Sequence, residues 1–221
     1  MLCETGPMTT PDTPSSLPER VERLLAAGDL LPIVAAGDPV LRTPAAPYEG
    51  QLPGPLLARL LAAMRRTMRE APGVGLAAPQ IGVPLRLAVL EDPATVPEEV
   101  RRMRGREPLP YRVLVNPHYA PAGERRALFY EGCLSVPGWQ AVVARHAVVR
   151  LRAEDEHGTA LDEEVGGWAA RIVQHETDHL DGTLYVDRAL PRSLTSNENL
   201  LRYWNEPSPE RAAAGLGFVA E

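Results

Sequence analysis

Apolar residues recur at intervals of three and four in several stretches of the chain, and this spacing predicts amphipathic helices. The predicted helices cover residues 17–31, 55–70, 168–180 and 199–204. Pro55 suits a first helical turn, and Gly182 is a typical residue just beyond a helix end. The helix before Gly182 carries apolar side chains on both sides of its polar residues, so we expect it to be buried.

Shorter runs with alternating or β-branched residues predict strands. These runs cover residues 85–90, 112–116, 127–130, 142–152 and 160–165. Residues 155–158 predict a hairpin turn between the last two strands. Residues 91–110 are charged and contain prolines, which predicts an exposed loop or a short helix. We interpret the arginines of this segment as a solvated face.

The two ends of the chain differ from its middle in composition. Residues 1–16 are rich in Pro, Thr and Ser, which predicts a flexible tail. Residues 17–205 contain the predicted helices and strands and are expected to form one catalytic domain. Residues 206–221 are rich in Ala and Gly, and we expect a loose C-terminal segment.

Composition excludes several classes of function. The 221 residues are 44% hydrophobic, as in a globular protein, and the net charge of −6 argues against non-specific nucleic-acid binding. All 23 basic residues are arginine, which excludes a lysine nucleophile. No apolar run is long enough to span a membrane, and the N-terminus lacks a signal-peptide pattern. We therefore expect a cytoplasmic protein without a membrane partner; no particular oligomeric state is predicted.

The predicted buried helix contains a His-Glu-x-x-His motif. His175 and His179 are four residues apart, so they share one helix face and can bind the same metal ion. Glu176 follows the first histidine, where it can hold a water molecule and move its proton. Two histidines at this spacing also occur by chance on solvated helices, but the apolar flanks favour metal binding.

Two other segments are candidates for the same site. In residues 73–82 small residues dominate, so the backbone can approach a ligand, and Gln80 has both a donor and an acceptor. The alternative is an ordinary tight connection between helix and strand. Cys133 is either a small buried apolar residue or a soft third ligand that suits two imidazoles. A disulfide is not expected, because Cys3 lies in the predicted tail.

Three segments together resemble, in order, the three signature motifs of peptide deformylases. They are Gly-Val-Gly-Leu-Ala-Ala-Pro-Gln at residues 73–80, Glu-Gly-Cys-Leu-Ser at 131–135 and Gln-His-Glu-Thr-Asp-His at 174–179. The similarity extends over about residues 33–188, which is most of the chain. Trp168 departs from the family pattern, because a smaller apolar residue is commoner at its position.

The resemblance implies an α+β fold in which antiparallel sheets surround a central metal-binding helix. It implies a site of Cys133, His175 and His179 that holds Fe(II) in cells, with Zn, Ni or Co possible in preparations. The implied reaction removes the N-formyl group from the initiator methionine of new polypeptides, near the ribosome. In this reaction Glu176 transfers protons, while the Gln80 amide and the Leu134 N–H hold the formyl oxygen.

The substrate's methionine side chain needs a pocket. Candidates by motif position are Val74, Phe129, Trp168 and Ile172. Each of these could instead be plain core. Gly75 and Gly132 are expected to offer backbone to an extended peptide. Glu131 is expected to pair with Arg145 or Arg171 and so brace the site.

Two rival functions fit part of the pattern. In a zinc peptidase, Glu198 would be the third ligand downstream of His179, but the intervening Gly182 and Pro191 interrupt the connection and Cys133 would have no role. A binding module with a structural zinc would need four ligands, and only three candidates converge. Both rivals are therefore less consistent with the sequence than a deformylase.

Overall fold

The computed structural model describes residues 16–219. Within them the α-helices are α1 (Leu17–Ala26), α2 (Gly54–Glu70), α3 (Glu98–Arg104), α4 (Gly167–Leu180), α5 (Tyr185–Arg188), α6 (Asn197–Tyr203) and α7 (Glu210–Leu216). The strands are β1 (Gly75–Ala77), β2 (Leu87–Asp92), β3 (Leu109–Pro121), β4 (Arg126–Cys133), β5 (Val136–His146), β6 (Val148–Glu154), β7 (Ala160–Gly166) and β8 (Thr195–Ser196). Residues 1–15 of the predicted tail lie outside this description.

The strands form two antiparallel sheets. The larger has the order β1-β2-β3-β6-β7, and the smaller has the order β4-β5-β8. Helix α4 contacts strands of both sheets, including β1 and β3 in the larger sheet and β5 in the smaller. These contacts confirm the expectation of an α+β fold with antiparallel sheets around a central helix.

The start of α4 is fixed by a close contact with the end of α3. The Trp168 N–H donates to the Gly105 carbonyl at 3.1 Å. Gly167 has a φ of +61°, and a Cβ there would lie 2.3 Å from the Gly105 oxygen, so only glycine fits. This contact brings α3, from the charged segment, against the first turn of α4.

Helix α2 provides the main apolar core against the larger sheet. Its buried side chains include Leu60, Met64 and Met68, which cluster with Leu76 and Val89 of β1 and β2. All five of these residues are fully buried. This packing holds β1 and the loop before it, where the first motif begins, in a fixed position.

Three sequence predictions differ from the structure. The segment 142–152 is two strands, because the chain turns at Ala147 between β5 and β6. Ser16 is not tail, since its hydroxyl accepts from the Glu19 N–H and caps α1. The prediction of a loose C-terminal segment also differs from the structure, because helix α7 lies within it and buries Ala212 and Ala213.

The C-terminal helix escaped prediction because its buried face is made of alanines. Ala212 packs in a cluster with Tyr130 and Val142 of the smaller sheet, joined by Trp204 and Phe218. Alanine buries little area, so it gives a weak periodic signal even though its helix propensity is high. Within residues 16–219, no helix combines the length and apolar character needed to cross a bilayer.

Candidate metal centre and substrate cleft

Helix α4 and the end of β4 bring three candidate ligands together. Cys133, His175 and His179 place ligand atoms within 4.8 Å of one another. The Cys133 Sγ lies 3.2 Å from the His179 Nε2, and the two imidazole ring centroids are 5.0 Å apart. The structure thus brings together the three residues that the motifs suggested; we refer to them as the metal end of the cleft.

The position of Cys133 depends on a tight turn between β4 and β5. Cys133 pairs with Val136, with Leu134 and Ser135 as the turn between them, and the strand register shifts between Gly132 and Cys133. Such an irregularity bends a strand and redirects the next side chain. Cys133 therefore turns toward α4 at the point where the hairpin reverses.

The donor set fits a divalent metal. One thiolate and two imidazoles suit iron or zinc, and tetrahedral ligands at about 2.0–2.3 Å from an ion would be separated by roughly 3.5 Å. The observed spread of up to 4.8 Å agrees with that scale. Glu176 Oε2 is buried beside this group and has no hydrogen-bond partner among the described residues. An unpartnered carboxylate oxygen at this place is suited to receive a proton from water.

A buried carboxylate orients the first histidine. His175 Nδ1 lies 3.0 Å from Glu131 Oε2, so its Nε2 is left for the metal. Glu131 also accepts from Arg145 at 2.9 Å and from Arg171 at 2.5 Å. Burial alone would raise the pKa of Glu131, but Arg145, His175 and Arg171 hold it well below its usual range. The predicted pairing of Glu131 with Arg145 or Arg171 is confirmed, because it pairs with both.

A second buried carboxylate lies between the two histidines in sequence. Asp178 accepts from Arg145, from Arg188 at 2.7 Å and from the Tyr119 hydroxyl at 2.9 Å. Burial and the neighbouring Asp178 raise the pKa of Tyr119 to about 12. This network was not predicted, and its only sequence signal is an acidic residue in a buried stretch of helix. It fixes the rotation of α4 and therefore the direction of both histidines.

Glu176 lies against a glycine of β1. A Cβ on Gly75 would be 2.2 Å from Glu176 Oε1 and 2.5 Å from its Cδ. Gly75 therefore makes room for the carboxylate, in addition to any contact with a peptide. Burial raises the pKa of Glu176 to about 7, despite the opposing effect of His175. A carboxyl group of this kind exchanges protons readily near neutral pH.

The Gln80 side chain is held in one orientation. Its Oε1 accepts from the Ala77 N–H at 2.8 Å, and its Nε2 lies 3.3 Å from the buried Ser135 Oγ and 3.5 Å from Cys133 Sγ. Gln80 is only 1% exposed. The amide N–H₂ therefore points at the metal end, whereas the carbonyl is occupied by backbone.

Leu134 offers its backbone at the same place. Its N–H has no hydrogen-bond partner among the described residues, and Leu134 lines the cleft. Its side chain packs near Gly73, where a Cβ would lie 3.0 Å from Leu134 Cδ1. A free N–H next to Cys133 is available to an oxygen atom of a ligand.

The cleft has a volume of about 500 Å³ and extends from the metal end to the first turn of α4. The predicted substrate-binding residues that line it are Val74, Gly75, Gly132, Trp168 and Ile172. Phe129 does not line it. Its ring instead meets the Trp168 ring edge-on, with centroids 5.9 Å apart. The indole of Trp168 therefore forms this part of the wall, with the Phe129 ring against it.

Arginines from the charged segment reach the cleft, contrary to the prediction of a solvated face. Arg104 and Arg106 line it, with their Cζ atoms 5.2 and 5.4 Å from the Trp168 ring centroid. Arg171 approaches the same ring to 5.5 Å. We call Arg104 and Trp168 the far end of the cleft. No sequence signal places these arginines there, because α3 has no buried residue that would reveal its packing.

The rival ligand is not part of the site. Glu198 is exposed on α6, and the cluster of potential ligands among residues 16–219 contains Cys133, His175 and His179 without it. The geometry therefore gives no support to the arrangement of a zinc peptidase with Glu198 as a ligand.

Comparisons with known proteins agree with this geometry. The family model described as polypeptide deformylase matches residues 30–194. Peptide deformylase 1 of Streptomyces coelicolor is 67% identical over 211 residues, covering 96% of this chain and 97% of that protein. The mitochondrial peptide deformylase of Homo sapiens is 43% identical over 169 residues, covering 74% and 70%. The Met-Ala-Ser-bound class I type b peptide deformylase from Acinetobacter baumannii superposes with a TM-score of 0.65 at 35% identity, covering 72% of this chain and 98% of that chain.

Proposed function

Because the chain belongs to the polypeptide deformylase family and is a hydrolase that removes the N-formyl group from nascent polypeptides, we propose that this reaction takes place at the metal end of the cleft. The observation that carries the proposal is the convergence of Cys133, His175 and His179 beside the buried Glu176, whose Oε2 has no hydrogen-bond partner among the described residues. The substrate is the formyl-methionyl end of a peptide.

The metal dependence of the family gives the three ligands their role. We assign Cys133 Sγ, His175 Nε2 and a ring nitrogen of His179 as the ligand atoms that would hold one divalent ion. In cells this ion would be Fe(II). Zn, Ni or Co would occupy the same donors in preparations. When bound, the metal acts as a Lewis acid that acidifies water and polarises the formyl carbonyl.

Glu176 is the proton-transfer residue of the proposed mechanism. Its carboxylate removes a proton from the water that attacks the formyl carbon and later delivers it to the leaving amine. The C–N bond breaks as formate and the free N-terminus form. The raised pKa of Glu176, which burial sets at about 7, suits both steps.

Gln80 and Leu134 stabilise the charge that develops on the formyl oxygen. The Gln80 Nε2 is directed at the metal end because its carbonyl is tied to Ala77, and the Leu134 N–H has no other partner among the described residues. Two fixed donors need no reorganisation when the carbonyl oxygen becomes negative. They are therefore the proposed oxyanion donors.

The remaining cleft residues bind the peptide. Gly75 of β1 and Gly132 of β4 line the cleft and offer backbone to the peptide, and the formyl-methionine side chain is directed along α4 past Ile172 toward Trp168. Phe129 supports the Trp168 ring. We further propose that the protein acts in the cytoplasm, near the ribosome, because its substrates are chains still being made.

The test is formate release from formyl-Met-Ala-Ser under oxygen-free conditions, with iron or nickel supplied. We expect turnover that depends on the added metal and disappears with a chelator. The same peptide with an acetyl group in place of the formyl group serves as the control substrate. Metal-loaded, folded protein that releases no formate would contradict the proposal.

A further inference from the structure

The far end of the cleft contains an arginine that no carboxylate neutralises. Three arginines surround the Trp168 ring, and two of them are paired: Arg106 with the buried Asp92 at 2.7 and 3.0 Å, and Arg171 with Glu131 at 2.5 Å. Among the described residues, Arg104 has no acidic partner. The wall of the cleft therefore carries one uncompensated positive charge at this place.

Backbone carbonyls hold the Arg104 guanidinium in position. Its Nε donates to the Pro207 carbonyl at 3.2 Å and its Nη2 to the Glu206 carbonyl at 3.5 Å. The Nη1 group has no partner within residues 16–219. A guanidinium has five N–H donors, so several remain for a ligand in the cleft.

Burial, together with Arg106 and Arg171, lowers the pKa of Arg104 to about 10. The guanidinium remains charged near neutral pH, but burial and the neighbouring positive charges destabilise its charged form. A cation that is partly removed from water and lacks a counter-charge gains most from a ligand with a strong hydrogen-bond acceptor. An apolar ligand tip would instead bury the cation without compensation.

The far end lies where the tip of the first side chain would reach. His175 and Trp168 are two turns apart on α4, a distance of about 10 Å at ~1.5 Å per residue. From a formyl carbon at the metal end, the two bonds to the methionine Cα span about 2.5 Å and an extended side chain adds on the order of 5 Å, so the reach is about 7–8 Å before the substituents on sulfur are counted. The sulfur and its substituents would then approach the Arg104 and Trp168 wall.

We infer, on the basis of the proposed function, that Arg104 is a specificity-determining residue of the cleft. Through Arg104 the cleft accepts N-formyl-methionine sulfoxide as a substrate in addition to N-formyl-methionine. Oxidation gives the sulfur a polar S=O group in place of a weak acceptor. Arg104 Nη1 donates to that oxygen. The reaction itself is the same hydrolysis, and the oxidation state of the sulfur does not change.

The experiment compares three peptides that differ at the first side chain: formyl-Met-Ala-Ser, its sulfoxide as separate epimers, and the isosteric formyl-norleucyl-Ala-Ser. The wild-type enzyme is expected to hydrolyse at least one sulfoxide epimer no more slowly than the norleucine peptide. Wild-type enzyme that favours norleucine over both epimers by about tenfold or more would overturn the inference without any variant.

Variants separate Arg104 from the rest of the cleft. In Arg104→Met, the sulfoxide-to-norleucine ratio of kcat/KM should fall about 10- to 100-fold, the size of one lost charged hydrogen bond. Arg104→Lys keeps the charge and should retain part of the preference. Arg102→Met is the matched control, since Arg102 is exposed on the same helix and does not line the cleft. An unchanged ratio in folded Arg104→Met would contradict the inference.

A binding measurement distinguishes this inference from the proposed function. Calorimetric titration of the metal-loaded protein with the deformylated sulfoxide and norleucine peptides needs no turnover. Tighter binding of the sulfoxide peptide, reduced in Arg104→Met, supports the role of Arg104 even if no formate is released. Formate release from formyl-Met-Ala-Ser without any effect of Arg104 on either ratio would refute the inference alone.

Discussion

At the metal end of the cleft each buried arginine is matched by a carboxylate, whereas at the far end Arg104 has carbonyl groups and two aromatic rings beside it but no carboxylate. Glu131 and Asp178 together neutralise Arg145, and both are almost fully buried. The carbonyls that hold Arg104 come from a loop before α7. The metal end is thus cross-linked by opposite charges between α4 and the smaller sheet, while the far end depends on two longer hydrogen bonds.

This difference predicts where the protein tolerates change. Breaking a buried charge pair leaves an uncompensated charge and typically costs about 3–5 kcal/mol, whereas loss of one neutral-acceptor hydrogen bond costs about 0.5–1.5 kcal/mol. Substitutions at the metal end should therefore abolish metal binding or turnover. Substitutions at the far end should change which peptide is preferred and leave the chemistry intact.

The largest effect is expected from removal of a ligand. Cys133→Ala should lose the metal and all measurable deformylation, because two imidazoles alone bind a divalent ion weakly. Glu198→Ala should keep both, since Glu198 is exposed on α6. The measurement is metal content of the purified variants together with formate release. The reverse outcome, with metal lost from Glu198→Ala, would favour the peptidase arrangement.

The next effect concerns proton transfer. Glu176→Ala should lower kcat by about 10²–10⁴-fold, the usual contribution of a general acid–base residue. Metal content should be unchanged, because Glu176 is not one of the three clustered ligand residues. A variant that keeps its metal and its turnover would remove Glu176 from the mechanism. It would also revive the interpretation of the site as a structural metal centre.

Gly75→Ala tests the position of the same carboxylate, because Gly75 lies on β1 directly against it. Since the new Cβ would lie 2.2 Å from Glu176 Oε1, the carboxylate must move. We expect kcat to fall by up to about 10²–10⁴-fold, as for loss of the general base. Gly54→Ala is the control, because nothing lies within 4 Å of a Cβ there. Equal activity of the two variants would show that Glu176 needs no fixed position.

Gln80→Leu removes one proposed oxyanion donor. Loss of one such donor typically lowers kcat by about 10²–10³-fold. Metal content should remain that of the wild type, although Gln80 Nε2 lies 3.5 Å from Cys133 Sγ. Normal turnover would exclude Gln80 from the reaction. Loss of metal in place of turnover would assign it to the support of Cys133.

The metal end could be predicted because its information is local in sequence. His175 and His179 share a helix face by their spacing, and Glu131 and Cys133 stand two apart in one strand. Glu131 also accepts from Arg145, which lies on β5, the strand that follows β4 and pairs antiparallel with it. A sequence motif can predict such a site, because the residues that one helix or strand contributes are close together in the sequence.

The far end could not be predicted because it arises from contacts between distant elements. Arg104 meets Trp168 only because Gly105 and Gly167 allow the backbones of α3 and α4 to touch. Neither glycine predicts a contact between two helices, because glycine is common at the ends of helices in general. The expectation that Gly75 offers backbone to a peptide gave no sign that its Cα also faces the Glu176 side chain. Only the fold reveals which atoms each glycine admits.

The smallest effect on turnover is expected from Gly215→Ala, which loosens the support of the far end without touching the cleft. A Cβ on Gly215 would lie 2.6 Å from the rigid Trp204 ring, so α7 must shift away from it. Such overpacking costs about 1–3 kcal/mol and should lower Tm by roughly 2–4 °C for each kcal/mol.

Because Glu206 and Pro207 lie between Trp204 and α7, this shift displaces the carbonyls that hold Arg104. Turnover of formyl-Met-Ala-Ser should stay within about twofold of the wild type, as for changes remote from the reacting atoms. The sulfoxide-to-norleucine ratio should fall by less than in Arg104→Met, since the charge remains but its direction is no longer fixed. The measurement is the same set of kcat/KM values with a thermal unfolding curve. If turnover of all three peptides fell equally, the two ends of the cleft would be coupled, and the distinction between a rigid metal end and an adjustable far end would fail.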